Sequence, residues 1–375
     1  MKIVIGADFV PTKNANYFYK ADCRYLLGDE LTSLLDKVDF RIFNLEVPLV
    51  NSKNPIEKCG PNLIAGTDSV ALFSKLNVDL FTLANNHIMD QGSQGLKSTC
   101  EILDKSQIAY VGVGENKKEA SKPFIFGNEE NRVGVYACVE HEFSSAEEKQ
   151  PGANPFDQLE SFDHVSSLKE QCDFVIVLYH GGKENYRYPS PDLQRKCRRF
   201  VDKGADLVVC QHSHCIGCEE KYLNGTIVYG QGNFLFDNCE IDEWQTSLLI
   251  EIDDGNITYI PLKKHKDKVR IAVPVESAEI LKEFESRSEE IKNSQFIEDK
   301  YKEFASNMLY EYLWVLSGAN NSKILRIINK LSGYRFYRFY LDRKYTLPSI
   351  LSMLNYFECE AHREVIIEGL KIKNR

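Results

Sequence analysis

Through the first two-thirds of the chain, two kinds of segment alternate. Short apolar runs rich in Val, Ile and Phe (KIVIGADF, DFRIFNLEV, VDLFTLANN, IAYVGVG, RVGVYACVE, CDFVIVLYH and ADLVVCQHS) predict buried strands. Between them, DELTSLLDKV, SVALFSKLN, GLKSTCEILDKS, SSLKEQ and PDLQRKCRRFVDKG place apolar residues at helical spacing. This alternation predicts an α/β fold whose strands are covered on both faces. From about residue 226 the helices drop out, and TIVYGQGNFLF, TSLLIEID and NITYIPL predict consecutive antiparallel strands. Near residue 275 the pattern changes to a long, charged stretch of helical period, ESAEILKEFESRSEEIKNSQFIEDKYKEFASNMLYEYLWVL, and the tail keeps that character. The expected organisation is an α/β domain over residues 1–265 and a helical region over 266–375.

Composition narrows the reading. Hydrophobic residues make up 43%, enough for a substantial core, and the net charge of −9 argues against non-specific nucleic-acid binding. The basic block LKKHKDKVR is read as solvated surface. The chain opens directly on a strand pattern and has no run of about 20 apolar residues, so no membrane span and a cytoplasmic location are expected. The 11 cysteines lie mostly in apolar runs and are read as reduced core thiols. Cys215 and Cys218 form a CxxC without the second pair that a structural zinc site needs, so packing is their expected role. In the tail, Leu354, Phe357, His362, Ile366 and Leu370 fit one face of an amphipathic helix; Glu360, His362 and Arg363 together could instead meet an anionic substrate.

The chemistry concentrates where apolar runs end. Asp8 closes IGAD, and IFNLE supplies Asn44 and Glu46. TLANNH supplies Asn85, Asn86 and His87, with Asp90 close behind, while His180, His212 and His214 close two further runs. Ligand sites of open α/β sheets form at the carboxyl ends of strands. Carboxylate, amide and imidazole groups gathered there suit hard-to-borderline divalent cations, and a metal pair would polarise an ester and activate water. If the H-x-H pair continues its strand, both rings face one side.

The pieces GADFVP, FNLEVPLV, LANNHIMDQGSQGL, YVGVGENKKEA and the long segment from LYHGGKENY to GNFLFD occur in order across residues 1–240. Together they resemble the CapA-type capsule synthesis family, associated with poly-γ-glutamate and built on a calcineurin-like metallophosphoesterase fold. The resemblance implies a four-layered α/β/β/α sandwich followed by a C-terminal helical region. It implies two divalent ions (Mn²⁺, Zn²⁺ or Fe²⁺), with Asp8 and His214 at a first site, Glu46 bridging, and Asn86, His180 and His212 at a second. His87 takes the place of the histidine that assists the leaving group, oriented by Asp90; Asn85, Glu184 and Asn233 take supporting or substrate-facing positions. One departure stands out. The wider superfamily carries Asp-x-His on its first strand, whereas here Asp8 is followed by Phe9 and Val10. The implied activity is hydrolysis of a phosphate ester in capsule or surface-polymer metabolism, on an anionic small molecule or polymer precursor. An amide or γ-glutamyl bond handled by the same metals, and a non-catalytic partner in a polymer-synthesis complex, are the alternatives.

Overall fold

The computed structural model describes residues 1–11, 23–236, 241–265, 268–333 and 335–373. In chain order, β1 (Lys2–Val10), β2 (Phe40–Leu45), β3 (Leu80–Thr82) and β4 (Ala109–Val111) are parallel neighbours in a first sheet. The two-residue β5 (Val113–Gly114) pairs with β8 (Gly152–Ala153), and between them β6 (Phe124–Asn128) and β7 (Asn131–Val139) open a second sheet. That sheet continues with β9 (Phe174–His180), β10 (Leu207–Gln211), β11 (Glu219–Tyr222) and β12 (Gly225–Tyr229), in the order β11-β12-β10-β9-β7-β6. The chain then returns to the first sheet with β13 (Asn233–Phe236), β14 (Thr246–Asp253), β15 (Asn256–His265) and β16 (Lys268–Ile271), giving β16-β15-β14-β1-β2-β3-β4 with β13 also beside β1.

Side-chain alternation along the strands separates the layers. In β9, Ile176 and Leu178 join Ile5, Ile42 and Val209 in a core shared by both sheets. Their neighbours Val175, Val177 and Tyr179 turn the other way, onto Val165 and Leu168 of helix Ser161–Lys169 and onto Cys197 and Phe200 of helix Pro191–Asp202. The helices Cys23–Lys37, Val70–Lys75 and Gly92–Lys105 bury Leu31, Phe73 and Leu103 beside the first sheet. The architecture is the α/β/β/α sandwich that the resemblance implies. By the same parity His180, two residues beyond Leu178, points between the sheets. The Phe43 ring of the neighbouring strand β2 leaves no room for a side chain at Gly6, where a Cβ would lie 2.1 Å from it. Gly6→Ala is expected to destabilise the protein by about 1–3 kcal/mol, the usual cost of overpacking, read as a lower denaturant midpoint with an unchanged slope.

The run TIVYGQGNFLF is not an antiparallel continuation. It supplies β12, parallel to β10, and β13, parallel to β1, in different sheets. Between them Gly230 and Gly232 take φ of 114° and 81°, and a Cβ on Gly232 would lie 2.6 Å from the Thr246 carbonyl oxygen. Only glycine meets both demands, so these two residues carry the chain from one sheet to the other.

By compactness the chain divides into Met1–Glu298 and Asp299–Arg375. The change of pattern near residue 275 marks the end of the strands rather than the end of the first unit, because helix Pro274–Glu290 packs back on them. Phe284 meets the Tyr259 ring edge-on at 4.9 Å, and Arg287 Nε donates to the Gly217 carbonyl at 2.7 Å. The basic block is only partly solvated: Lys264 is buried and its Nζ donates to the Phe236 carbonyl at 2.6 Å, while residues 266–267 lie outside the described residues. In the second unit the tail does not form one helix. Leu354 and Phe357 belong to Leu347–Glu358, whereas His362, Ile366 and Leu370 belong to Glu360–Lys373, after Cys359 takes extended φ/ψ of −71° and 115°. Among the described residues, no helix is long and apolar enough to cross a membrane.

Candidate metal centre

The parallel strands of both sheets point their carboxyl ends toward one cleft. The first sheet brings Asp8 from a bulged position in β1, Glu46 directly after β2, and Asn85, Asn86 and His87 just beyond β3. The second brings His180 at the end of β9 and His212 and His214 just after β10. Apart from Glu184, which is exposed, the predicted site residues are all buried.

Three overlapping groups of ligand atoms lie within 4.8 Å of one another: Glu46 with His180 and His212, Asp8 with Glu46 and His214, and Glu184 with His212 and His214. Asn86 joins the first group, its Oδ1 3.1 Å from His180 Nε2, which is also 3.3 Å from Glu46 Oε1. Asn233 Oδ1 lies 2.9 Å from His214 Nδ1, on the strand that pairs with β1 at Asp8. Asn85 holds the platform rather than the cleft: its Nδ2 donates to Asn44 Oδ1 and to the Leu45 carbonyl, and its Oδ1 accepts from the His87 backbone.

His212 and His214 do not continue β10. Both follow its end with positive φ, 89° and 56°, a backbone region that non-glycine residues rarely adopt outside functional sites and tight turns. The turn rather than the pleat aims the rings, and the His212 backbone N–H reaches Asp8 Oδ2 at 3.3 Å.

Charges in the cleft are arranged for cations. Burial pushes the Asp8 carboxyl up, but the hydrogen bond from His214 and the charges of His180 and His214 outweigh it and hold Asp8 below the ordinary range. Burial pushes His180 down, yet Glu46 and Asp8 hold it above the usual imidazole value; His214, opposed in the same way by burial, is held up at about 9 by the Asp8 hydrogen bond and by Glu46. His212 is pushed well below that value, by burial first and then by the other two rings. The two buried carboxylates favour positive charge among the imidazoles, and bound cations would take over that role. Both Glu46 oxygens are buried without a hydrogen-bond donor, as is His212 Nδ1. Burying a carboxylate is costly, and with His180 as its nearest charged partner and no hydrogen bond at either oxygen, Glu46 and these donors fit divalent ions.

Beside the cleft, His87 Nδ1 lies 2.6 Å from Asp90 Oδ2. Asp90 also accepts from the Leu63 backbone at 2.6 Å and pairs through Oδ1 with Lys58 Nζ, which is 3.4 Å from His87 Nδ1. Lys58 was not legible as a site residue: it stands in an irregular stretch, EKCGPN, without periodic neighbours. Two buried glutamines were missed as well. Gln211 Nε2 donates to the Gly6 carbonyl and Gln231 Nε2 to the Ile5 carbonyl, tying the two sheets together beneath the cleft. Phe9 and Val10, where the superfamily pattern has its further histidine, are fully buried; Phe9 packs among Phe43, Phe73, Phe81 and Phe234.

Cys215 and Cys218 are free and buried, burial pushes both thiols up, and neither joins a metal-ligating group among the described residues. Replacing both by serine should leave bound metal, measured per folded protein, unchanged, at a stability cost of about 1–3 kcal/mol each for burying a hydroxyl. Loss of one metal equivalent from a folded double variant would put these thiols among the ligands.

The family profile described as bacterial capsule synthesis protein PGA_cap matches residues 3–238, which include every residue of the cleft named above. The chain belongs to this capsule synthesis family. The capsule biosynthesis protein CapA of Bacillus anthracis is 32% identical over 213 residues, 54% of this chain and 52% of that protein. The PGA biosynthesis protein CapA of Bacillus subtilis is 31% identical over 205 residues, 53% of each chain. The chain thus spans about half the length of the curated relatives it matches. Among solved structures, an NAD nucleotidase from Haemophilus influenzae aligns at 15% identity with a TM-score of 0.43, covering 76% of this chain and 62% of that one.

Proposed function

We infer that the protein is a metal-dependent hydrolase of a phosphate ester in capsule or surface-polymer metabolism, acting in the cytoplasm on an anionic small molecule or polymer precursor. The observation that carries this reading is Glu46, a fully buried carboxylate shared by two of the three ligand groups and lacking any hydrogen-bond donor. Asp8 and His214 would hold one ion and Asn86, His180 and His212 the other, with Glu46 between them. When bound, such ions supply Lewis acidity toward a phosphoryl oxygen and activation of water. The chain's own residues would do the rest. Asn44, whose Nδ2 is 2.8 Å from Asp8 Oδ1 and 3.2 Å from His180 Nδ1, fixes both ligand side chains. His87 keeps Nδ1 toward Asp90, which leaves Nε2 to deliver a proton to the departing alcohol.

The name of the Bacillus subtilis relative, a PGA biosynthesis protein, supports a second reading, in which the bond is a γ-glutamyl or other amide. Full-length protein loaded in turn with Mn²⁺, Zn²⁺ and Fe²⁺ should be assayed on phosphomonoesters, phosphodiesters and γ-glutamyl peptides. Hydrolysis of phosphate esters that a chelator abolishes is the expected result. Cleavage confined to the peptides would favour the second reading, and silence on every substrate would favour a non-catalytic partner of a polymer-synthesis complex.

A further inference from the structure

Between Lys323 and Lys344 the chain carries seven Lys and Arg and one Asp, in a protein whose net charge is −9. The first helix of this segment, Lys323–Leu331, is strongly amphipathic, and its apolar stripe is left in solvent. Ile324, Ile327, Ile328 and Leu331 follow the i, i+3, i+4, i+7 spacing of one helix face and are exposed at 70%, 59%, 39% and 83%. Lys323 and Lys330 border that stripe, and Arg326 lies behind it. The next helix, Phe336–Lys344, adds Arg338 and Arg343 together with an exposed Phe339 and, at its end, Tyr345. Among the described residues, none of the seven cations is held in an ion pair; Arg343 lies over the Phe339 ring and Lys344 Nζ donates to the Ser317 carbonyl.

We propose that this segment seats the protein on an anionic lipid bilayer, the apolar stripe entering the headgroup boundary while the flanking cations meet lipid phosphates. The stripe needs an apolar surround, the cations need anions beside it, and tyrosines are favoured at that depth. A bilayer rich in acidic lipid offers all three at once, at about 1 kcal/mol per Lys or Arg near the surface. A second copy of the chain is a poor occupant, because a two-fold pairing would set this basic face against itself. The helix is short and bordered by charge, which suits lying on a bilayer rather than crossing it.

The test is co-sedimentation of the full-length protein with vesicles of phosphatidylcholine, with and without roughly a third phosphatidylglycerol. Partitioning should be about tenfold or more stronger on the acidic vesicles and should fall as salt rises. Ile327→Ser with Leu331→Ser, and Lys323→Glu with Lys330→Glu, should each lower it about tenfold or more. In the unmodified chain, acidic vesicles should slow amide exchange over residues 323–344, a reading that does not depend on any variant folding. Equal binding to neutral vesicles, pelleting without vesicles, or slowed exchange confined to other segments would overturn the proposal. So would binding to soluble poly-L-glutamate that persists in the serine variant while vesicle binding is absent.

Discussion

His87→Ala should lower turnover on an alkyl phosphate by about 10²–10⁴-fold, the range of a positioned general acid, while metal content and folding are retained. Retention follows from the local charge arrangement. Asp90 loses the ring but keeps Lys58 at Oδ1 and the Leu63 backbone N–H at Oδ2, so no buried carboxylate is stranded. The Asn85 contact to residue 87 is made by the backbone and survives the substitution. An aryl phosphate, whose leaving group needs little protonation, should lose far less. The ratio of the two losses is therefore the informative quantity. Equal losses on both substrates would make His87 a binding or structural residue, and full activity on the alkyl ester would remove it from the reaction.

Glu46→Gln should weaken metal binding by more than about a hundredfold, beyond the 10–100-fold cost of residues that only support a ligand, because two ligand groups lose their shared carboxylate. The same substitution should change sign in stability. With chelator present, the wild type buries a carboxylate whose oxygens accept no hydrogen bond and whose nearest charged partner is His180 at 3.3 Å, and a neutral amide removes that burden. The chelated variant should therefore be more stable by about 1–2 kcal/mol, a rise of about 2–4 °C in melting midpoint. With metal present the order should reverse, since only the wild type gains the binding free energy. A variant less stable than wild type under both conditions would show that the Glu46–His180 contact is structural in its own right.

Much of the site was legible because its residues sit where strands end, and strand ends are announced by a change from apolar to polar residues. Asp8, Glu46, Asn86 and His180 were picked out that way, and they come together in one cleft, though from two sheets rather than from one edge of a single sheet. His212 and His214 were picked out the same way and join these groups, but not by strand alternation: the aim of their rings depends on left-handed turn residues that leave no mark in a hydrophobic pattern. TSLLIEID and NITYIPL do pair antiparallel, but strand direction in TIVYGQGNFLF was misread for a related reason: alternation shows that a segment is a strand, while the Gly230–Gly232 turn that redirects it is a matter of backbone angles. Lys58, Gln211 and Gln231 were invisible because a buried polar side chain is recognised by its partner, and their partners lie far away in sequence. The tail gave a true helical period, but period alone does not reveal a break such as the one at Cys359.

The pairing of Asp8 with Asn233, one strand opening the chain and the other closing the second sheet's excursion, also sets an order of events. During synthesis the first four strands emerge well before β9, β10 and β13, so Asp8 and Glu46 exist for a time without the three histidines that complete their surroundings. Contacts between such distant segments form late, after loop-closure entropy has been overcome. Two carboxylates that are costly to bury therefore stay hydrated until the second sheet docks and brings imidazole to them. A nascent chain halted before residue 180 would have no complete ligand group, which keeps a half-made protein from trapping metal before its fold can hold it.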